Sequence, residues 1–311
     1  MKYIQYINEL LRKKTAETEG LVLFGQNIAA GSHISGLTKG LQVGKEGLII
    51  NATNAESTLT GLGFGMMLGG VSSIFFMKQL DFLLLGIDQL VDTYNFIRRK
   101  EPKASYTIFP VVSDQGYQGL QSSFDNFGDI ASVARISGFT ITNKVDAEEV
   151  INNHLVSPGF RIIGVSQRLF GDEALDVPKV YSNEEKTIFQ YTKGIKATIV
   201  AFNFAFPYGW ELYKKMKEKN IDASVFSVSS VTPVDWKKII EDVRGTKSLI
   251  VIDDSKSKNI PHNDFLVSVL EQCDLRKKII VKREFHGNEW LCPNDDLLNI
   301  DYDGIVNQLS E

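Results

Sequence analysis

The sequence contains few residues of the kinds that build disulfide frameworks or zinc sites. It has two cysteines, Cys273 and Cys292, and four histidines in 311 residues. The two cysteines are not at a metal-binding spacing, and no histidine belongs to an HxxxH motif or a mixed His/Cys ligand set. These absences argue against a zinc site and predict reduced thiols in a cytoplasmic protein.

A strong excess of one charge is also missing. The chain has 34 Lys and Arg against 38 Asp and Glu, a net charge of -4, and its basic residues are scattered among acids. Nucleic-acid binding requires a concentrated basic surface, so we expect no nucleic-acid partner. The first twenty residues are too polar for a signal peptide, and they predict an amphipathic helix with apolar positions at Ile4, Ile7, Leu10 and Leu11.

One uncharged run, residues 57–77, is long enough to be weighed as a membrane span. Glycines dilute its hydrophobicity, and the Gly69-Gly70 pair separates a helix-like half from a half rich in β-branched and aromatic residues. We therefore predict a helix, a turn and a strand, and no membrane span. A second helix is predicted from Asp81, as its N-cap, to the basic residues 98–100.

The remaining elements indicate two domains of α/β class. A chain of this length suggests about two domains, and strands alternate with helices, which predicts two open, mostly parallel sheets. The polar stretch 171–196 separates the two series, so we place the linker at 181–196 and the domains at 1–180 and 197–311. The predicted strands are 21–24, 71–77, 106–112, 160–165, 197–203, 223–228, 248–253 and 278–281, and the helices of the second domain are 208–219, 236–243 and 264–272.

Four features follow one another in the first domain. They are Glu56 after a strand, the glycine-studded segment GLGFGMMLGG, the strand SSIFFM, and the pair Asp88-Gln89. In this order they resemble the pyrimidine-binding domain of thiamine diphosphate enzymes, most closely the beta subunit of the first component of 2-oxo acid dehydrogenase complexes. The resemblance implies that Phe82 stacks on the cofactor pyrimidine.

The second domain resembles the transketolase C-terminal domain. Its segment SVSSVTPVDWKKI matches a strand-to-helix passage in which Pro233 and Asp235 open the helix, and Asp235 can cap a helix that begins near Trp236. The resemblance thus implies a pyrimidine-binding domain followed by a transketolase C-terminal-like domain.

Glu56 is the catalytic residue that the resemblance implies. Its carboxyl group would hydrogen-bond the pyrimidine ring nitrogen and favour the imino form of the cofactor, for which it should be buried and protonated. An apolar wall raises a carboxyl pKa in the required direction, and Leu59, Leu62, Phe64 and Phe82 are candidates for it. The alternative is that Glu56 only complements a helix dipole and Phe82 is a core aromatic.

The sequence departs from the family at two places near the expected site. Gln121 stands where the family carries a histidine, and Gln26-Asn27 replace two acids. An amide can hydrogen-bond a substrate oxygen but cannot relay a proton near neutral pH, so acyl transfer to a lipoyl arm is not implied. His33 could contact substrate or be a solvated loop residue.

The motif that holds the cofactor diphosphate in this superfamily, Gly-Asp-Gly, is missing from the chain. The resemblance therefore implies a partner alpha subunit that holds the diphosphate and magnesium, with a shared active site in a two-plus-two heterotetramer. Three functions remain open: a 2-oxo acid decarboxylating beta subunit, the C-terminal half of a split transketolase-like transferase or carboligase, and a cofactor-free structural subunit.

Overall fold

The first sheet is formed by six parallel strands. The computed structural model describes residues 1–97, 101–116, 119, 125–232, 234–257, 261–283 and 298–310. The strand order is β2-β1-β3-β4-β6-β5. The strands are β1 (Val22–Gly25), β2 (Leu48–Asn51), β3 (Ser73–Met77), β4 (Ser105–Val112), β5 (Ser137–Ile141) and β6 (Gly159–Ser166), and the helices are α1 (Tyr3–Ala16), α2 (Glu56–Leu68), α3 (Ile87–Ile97), α4 (Phe127–Ala134) and α5 (Lys144–His154).

Helices cover both faces of this sheet, because strand side chains alternate between two apolar clusters. Phe75 of β3 packs with residues of α2, α3 and α4 on one face. Phe76, the next residue, packs with residues of α1 and α5 on the other. The predicted buried strands and amphipathic first helix are therefore confirmed.

The second sheet combines parallel and antiparallel strands in the order β12-β11-β9-β10-β8-β7. Neighbours among β9 to β12 are parallel, while β8 runs antiparallel to both β10 and β7. The strands are β7 (Tyr181–Ser182), β8 (Ile188–Thr192), β9 (Ala197–Phe202), β10 (Ala223–Val228), β11 (Ser248–Asp253) and β12 (Lys277–Lys282), and the helices are α6 (Phe206–Glu218), α7 (Lys237–Thr246), α8 (Pro261–Gln272) and α9 (Tyr302–Ser310). The prediction of two mostly parallel α/β sheets is confirmed.

The interpretation of residues 181–196 as an irregular linker is wrong. They contain β7 and β8, and Ile188 and Phe189 of β8 are fully buried in the second core. Between the strands, the Asn183 side chain accepts hydrogen bonds from the backbone N–H groups of Thr187 and Ile188 at 2.8 and 2.9 Å. The charged residues of this stretch therefore form a hairpin turn.

The helix predicted from Asp81 begins differently. Residues Leu80–Gly86 form a 3-10 helix, and α3 starts only at Ile87. Asp81 is buried within the first turn of the 3-10 helix, so it is not the N-cap of α3. The basic residues 98–100 lie outside the described residues.

Backbone hydrogen bonds join the two sheets. Thr140 of β5 donates its N–H to the carbonyl of Ser229 at 2.7 Å, and Val231 donates to the carbonyl of Gly138 at 3.0 Å. Residues 229–231 follow β10, so the exit of a second-sheet strand contacts the edge of the first sheet. Within the described part of the chain, no helix has the length and apolar character needed to cross a membrane.

Candidate active site

The residues predicted for the site follow neighbouring strands of the first sheet. β2 leads to Glu56, β1 to Gln26 and His33, and β3 to Phe82. These strands are adjacent and parallel, so the three connections leave the same edge of the sheet. Open α/β sheets bind ligands at the carboxyl ends of their strands. Gln121 follows β4 in the chain but lies outside the described residues.

Glu56 is the first residue of α2. It stands beside the backbone N–H groups that have no partner within the helix, and its carbonyl accepts a hydrogen bond from Thr60 Oγ1 at 2.7 Å. The residue is half-buried, and Leu62 of the expected wall is 46% exposed. The predicted complete burial of Glu56 is therefore not achieved within this single chain.

Glycines bring the first turns of α2 close to the 3-10 helix and α3. A Cβ atom on Gly86, at the end of the 3-10 helix, would lie 2.6 Å from Thr60 Oγ1 and 3.5 Å from the Glu56 carbonyl oxygen. A Cβ on Gly61 of α2 would lie 2.9 Å from Oε1 of Gln89. The segment that carries Phe82 is thereby held against the helix that Glu56 begins.

Phe82 lies in the first turn of the 3-10 helix. Its N–H donates to the carbonyl of Gln79 at 3.3 Å. The neighbouring Leu80 and Leu83 are fully buried, while Phe82 is half-buried and packs against the same apolar cluster. Part of its side chain is therefore accessible beside the Glu56 helix.

The exit of β1 is shaped by close backbone contacts. Gly25 has a φ of +147°, and a Cβ atom there would overlap the carbonyl of Phe76. Asn27 follows in a left-handed conformation with a φ of 58°, which asparagine tolerates better than most residues. The Asn51 side chain, at the end of β2, accepts a hydrogen bond from the Ala29 N–H at 3.3 Å. The exits of β1 and β2 are thus joined.

His33 is an integral part of the loop after β1. Its Nδ1 lies 3.1 Å from the Ile28 carbonyl oxygen, which also accepts a hydrogen bond from Thr38 Oγ1 at 2.9 Å. Because a carbonyl only accepts, Nδ1 carries the proton. The His33 carbonyl in turn accepts from the N–H groups of Gly36 and Thr38. These contacts assign His33 a structural role in the loop.

Two charged residues on the same edge were not predicted from the sequence. Asp114 follows β4 and Arg168 follows β6, and Arg168 Nε lies 3.6 Å from Asp114 Oδ2. Burial raises the pKa of the Asp114 carboxyl group, against the opposing effect of Arg168. In the sequence, both could have been noticed because each stands just after a predicted strand. Among the described residues, no group of three or more His, Cys, Asp or Glu side chains is arranged to hold a metal ion.

The opening of α7 agrees with the sequence prediction. Asp235 Oδ1 accepts a hydrogen bond from the N–H of Lys237, the first helical residue, at 3.0 Å. Asp235 thus satisfies a free N–H group at the start of the helix. Pro233 lies outside the described residues.

The fold places the chain in a known structural class. It superposes on a split-gene transketolase, solved as an inactive beta4 tetramer, with a TM-score of 0.65 and 14% identity, covering 99% of this chain and 95% of that one. The two open α/β sheets and their order along the chain are therefore those of a transketolase-like fold. No protein-family model matches the chain.

Sequence comparison relates the chain to beta subunits of 2-oxo acid dehydrogenases. It is 19% identical over 279 residues to the pyruvate dehydrogenase E1 component subunit beta of Acholeplasma laidlawii, covering 86% of this chain and 84% of the relative. It is 22% identical over 288 residues to the 2-oxoisovalerate dehydrogenase subunit beta of Bacillus subtilis, covering 84% and 81%. The resemblance predicted from the stretch around Glu56 is confirmed and extends over most of the chain.

Proposed function

We propose that this chain is the beta-type subunit of a thiamine diphosphate-dependent enzyme that decarboxylates a 2-oxo acid and transfers the resulting acyl or aldehyde unit. The observation that carries the proposal is the placement of Glu56 at the start of α2, held by Gly86 and Gly61 against the segment with Phe82. The likeness to two dehydrogenase beta subunits supports it.

The described residues fit one end of the cofactor. Glu56 is half-buried at a helix start, and Phe82 leaves part of its ring accessible on the adjoining turn. A carboxyl group can hydrogen-bond a pyrimidine nitrogen, and a phenylalanine ring can stack on the pyrimidine face. Thiamine diphosphate, when bound, supplies the carbon nucleophile and the electron acceptor for decarboxylation. The role of this chain is to orient the pyrimidine and to control a proton at Glu56.

A partner subunit accounts for the exposed apolar surface beside Glu56. Leucines on α2 and on the 3-10 helix, and a phenylalanine on α3, are solvent-exposed in this chain. We call them the apolar rim: Leu62, Leu68, Leu84, Leu85 and Phe96. An exposed apolar patch of this kind is typical of a protein interface. We propose that an alpha subunit covers the rim, completes the burial of Glu56 and holds the diphosphate and magnesium in a two-plus-two heterotetramer.

A transketolase-like function is the second candidate. The fold likeness to a split-gene transketolase favours it, and so does Gln121, which cannot relay a proton near neutral pH. In that case the chain is the C-terminal half of a transferase or carboligase that uses an aldehyde or sugar acceptor. A cofactor-free structural subunit is the third candidate, since the matched split-gene protein was solved as an inactive tetramer of beta chains.

The test is carbon dioxide release from a panel of 2-oxo acids by the chain co-purified with its alpha partner, with and without thiamine diphosphate and magnesium. Glu56→Gln should lower the rate by roughly 10²- to 10⁴-fold, the usual contribution of a proton-transferring group. Glu218→Gln, an exposed acid at the end of α6, serves as the matched control and should leave the rate unchanged.

The remaining outcomes separate the candidates. Cofactor binding without release, together with transfer from a ketose donor, would favour the transketolase-like function. A complex that binds no cofactor would favour the structural subunit. Release that persists in Glu56→Gln would contradict the role of this residue.

A further inference from the structure

A buried polar cluster joins the two domains. Asp114 and Arg168 belong to the first domain, and Asp254 follows β11 in the second. Arg168 donates its backbone N–H to Asp114 Oδ1 at 2.8 Å and its Nη2 to Asp254 Oδ2 at 2.7 Å. Ser166 Oγ also donates to Asp114, at 2.5 Å. The same guanidinium group places Nε 3.6 Å from Asp114 Oδ2, so it links Asp254 to Asp114.

A second branch of the cluster runs from Asp254 to Asp125. Asn203, which follows β9, donates its side-chain amide to Asp254 Oδ1 at 3.0 Å and to Asp125 Oδ1 at 2.9 Å. The Lys256 N–H donates to the Asp125 carbonyl at 2.8 Å. Arg283 places Nη2 3.7 Å from Asp125 Oδ2 and donates its Nε to the Asp254 carbonyl at 3.0 Å.

The cluster is enclosed. Asp114, Asp125 and Asp254 are 1%, 0% and 2% exposed. Breaking one partner in a buried ionic network leaves an uncompensated charge, so such a network resists rearrangement. The cluster therefore fixes how the two domains are oriented as well as where they touch.

The two branches end on either side of the segment that carries Gln121. Asp114 immediately precedes residues 115–124, and Asp125 immediately follows them. We infer that Asp254 is a positioning residue of the second domain, which fixes Asp114 through Arg168 and Asp125 through Asn203 and thereby sets where the flanks of this segment lie. The inference rests on the proposed function only for the role of Gln121 at the substrate.

Such a role follows from what active sites demand. Groups that contact substrate need placement within about 0.5 Å, and a misplacement of about 1 Å can lower a rate by roughly 100-fold. Ser166 and Arg168 hold the Asp114 flank from within the first domain. The Asp125 side chain, in contrast, is held by Asn203 and Arg283 of the second domain.

Hydrogen exchange of the full chain alone, followed by mass spectrometry, tests the positioning role without any cofactor or substrate. Asp254→Asn removes the charge that holds Arg168 while keeping the size of the side chain. Asn203→Gly removes the side-chain amide that joins Asp254 to Asp125 and leaves Arg168 in place, and glycine accepts the φ of 57° found there. Asp274→Asn, an exposed residue after α8, is the matched control.

Asp254→Asn should raise exchange about tenfold in peptides that contain Asp114 or Asp125, because the flanks open locally. Asn203→Gly should raise it only in peptides that contain Asp125, and Asp274→Asn in neither. Peptides of β3 and β10 should keep their protection. The positioning role is overturned if Asp254→Asn leaves both flanks unchanged, or if exchange rises equally in all strands.

The complex with the alpha partner supplies a second readout. Asp254→Asn should lower kcat about tenfold or more while cofactor affinity stays within about twofold, since Asp254 is linked to Asp114 and Asp125 and, within the described residues, not to Glu56. An equal loss of cofactor affinity would contradict the inference. A complex without activity would count against the proposed function alone, because the exchange result decides the positioning role by itself.

Discussion

At the scale of single residues, the half-burial of Glu56 is the most consequential observation. In this chain alone the carboxyl group meets a helix start and an incomplete apolar wall, with Leu62 turned to solvent. A partner subunit that covers Leu62 would complete the apolar wall around this carboxyl group. Whether Glu56 bears a proton or only complements the helix dipole therefore depends on what covers it.

Phe82 can be tested separately from Glu56. Phe82→Leu should weaken thiamine diphosphate binding by the complex roughly 2- to 10-fold, since aromatic stacking contributes about 0.5–1.5 kcal/mol. Phe170→Leu alters a half-buried phenylalanine that packs with Tyr3 on the opposite face of the first sheet, and it should leave affinity unchanged. Titration calorimetry of both variants measures the effect; equal affinities would exclude stacking by Phe82.

The buried carboxyl groups between the domains predict a pH dependence of stability. Burial raises the pKa of Asp254 from 3.8 to about 6, and burial together with the charges of Asp254 and Asp114 raises the pKa of Asp125 well above its ordinary range. Each group binds its proton more tightly in the folded chain. Its contribution to the free energy of unfolding is therefore complete below about pH 4 and is lost as pH rises through the folded-state pKa.

Asp125→Asn mimics the protonated carboxyl group and should reduce this dependence. We expect the fall in unfolding free energy between pH 5 and pH 8 to shrink by on the order of 1 kcal/mol relative to the unmodified chain. Scanning calorimetry across this range measures it, with Asp274→Asn as the exposed control. Parallel pH curves for all three proteins would argue against the raised pKa of Asp125.

Which site residues the sequence could predict depends on how far apart they lie in the chain. Glu56 and Phe82 belong to one contiguous stretch whose glycines and strand carry a family resemblance. Arg168, in contrast, lies 54 positions from Asp114 and 86 from Asp254. The sequence shows only that each of them follows a predicted strand, and the folded arrangement is what brings them together.

At the scale of elements, α2 is packed by its glycines. A Cβ atom on Gly63 would overlap the ring of Tyr106 in β4, whereas one on Gly65 would meet open space. Gly63→Ala should therefore lower the free energy of unfolding by about 1–3 kcal/mol through overpacking. Gly65→Ala should raise it by about 0.5–1 kcal/mol, because alanine favours a helix interior. Chemical denaturation of the two variants measures both; effects of the same sign would contradict this packing.

The elements that the sequence did not predict have identifiable causes. Leu80, Leu83 and Gly86 are all fully buried and stand three residues apart, which matches the three residues per turn of a 3-10 helix and not the period of an α-helix. The hairpin of β7 and β8 was not predicted because the turn between the strands is rich in charged residues. Long strands and helices with a clear apolar face were predicted within a few residues, since local periodicity specifies them.

At the scale of the whole molecule, the proposed alpha subunit makes the apolar rim a binding surface. Leu85→Lys places a charge at a residue that is 59% exposed on the rim, and burying it unpaired would be costly. We expect at least about tenfold weaker association with the alpha partner. Ile195→Lys changes a residue that is 74% exposed in the second domain and should not affect association. Sedimentation velocity of the mixed chains measures the difference; undiminished assembly by Leu85→Lys would place the interface elsewhere.

The outermost strand of the first sheet has a bearing on how the chain is produced. Leu48, Ile49 and Ile50 of β2 are solvent-exposed, and among the described strands β2 pairs with β1 alone. An apolar strand with a free edge is a template for aggregation. Chains that are produced with this edge uncovered would therefore tend to precipitate.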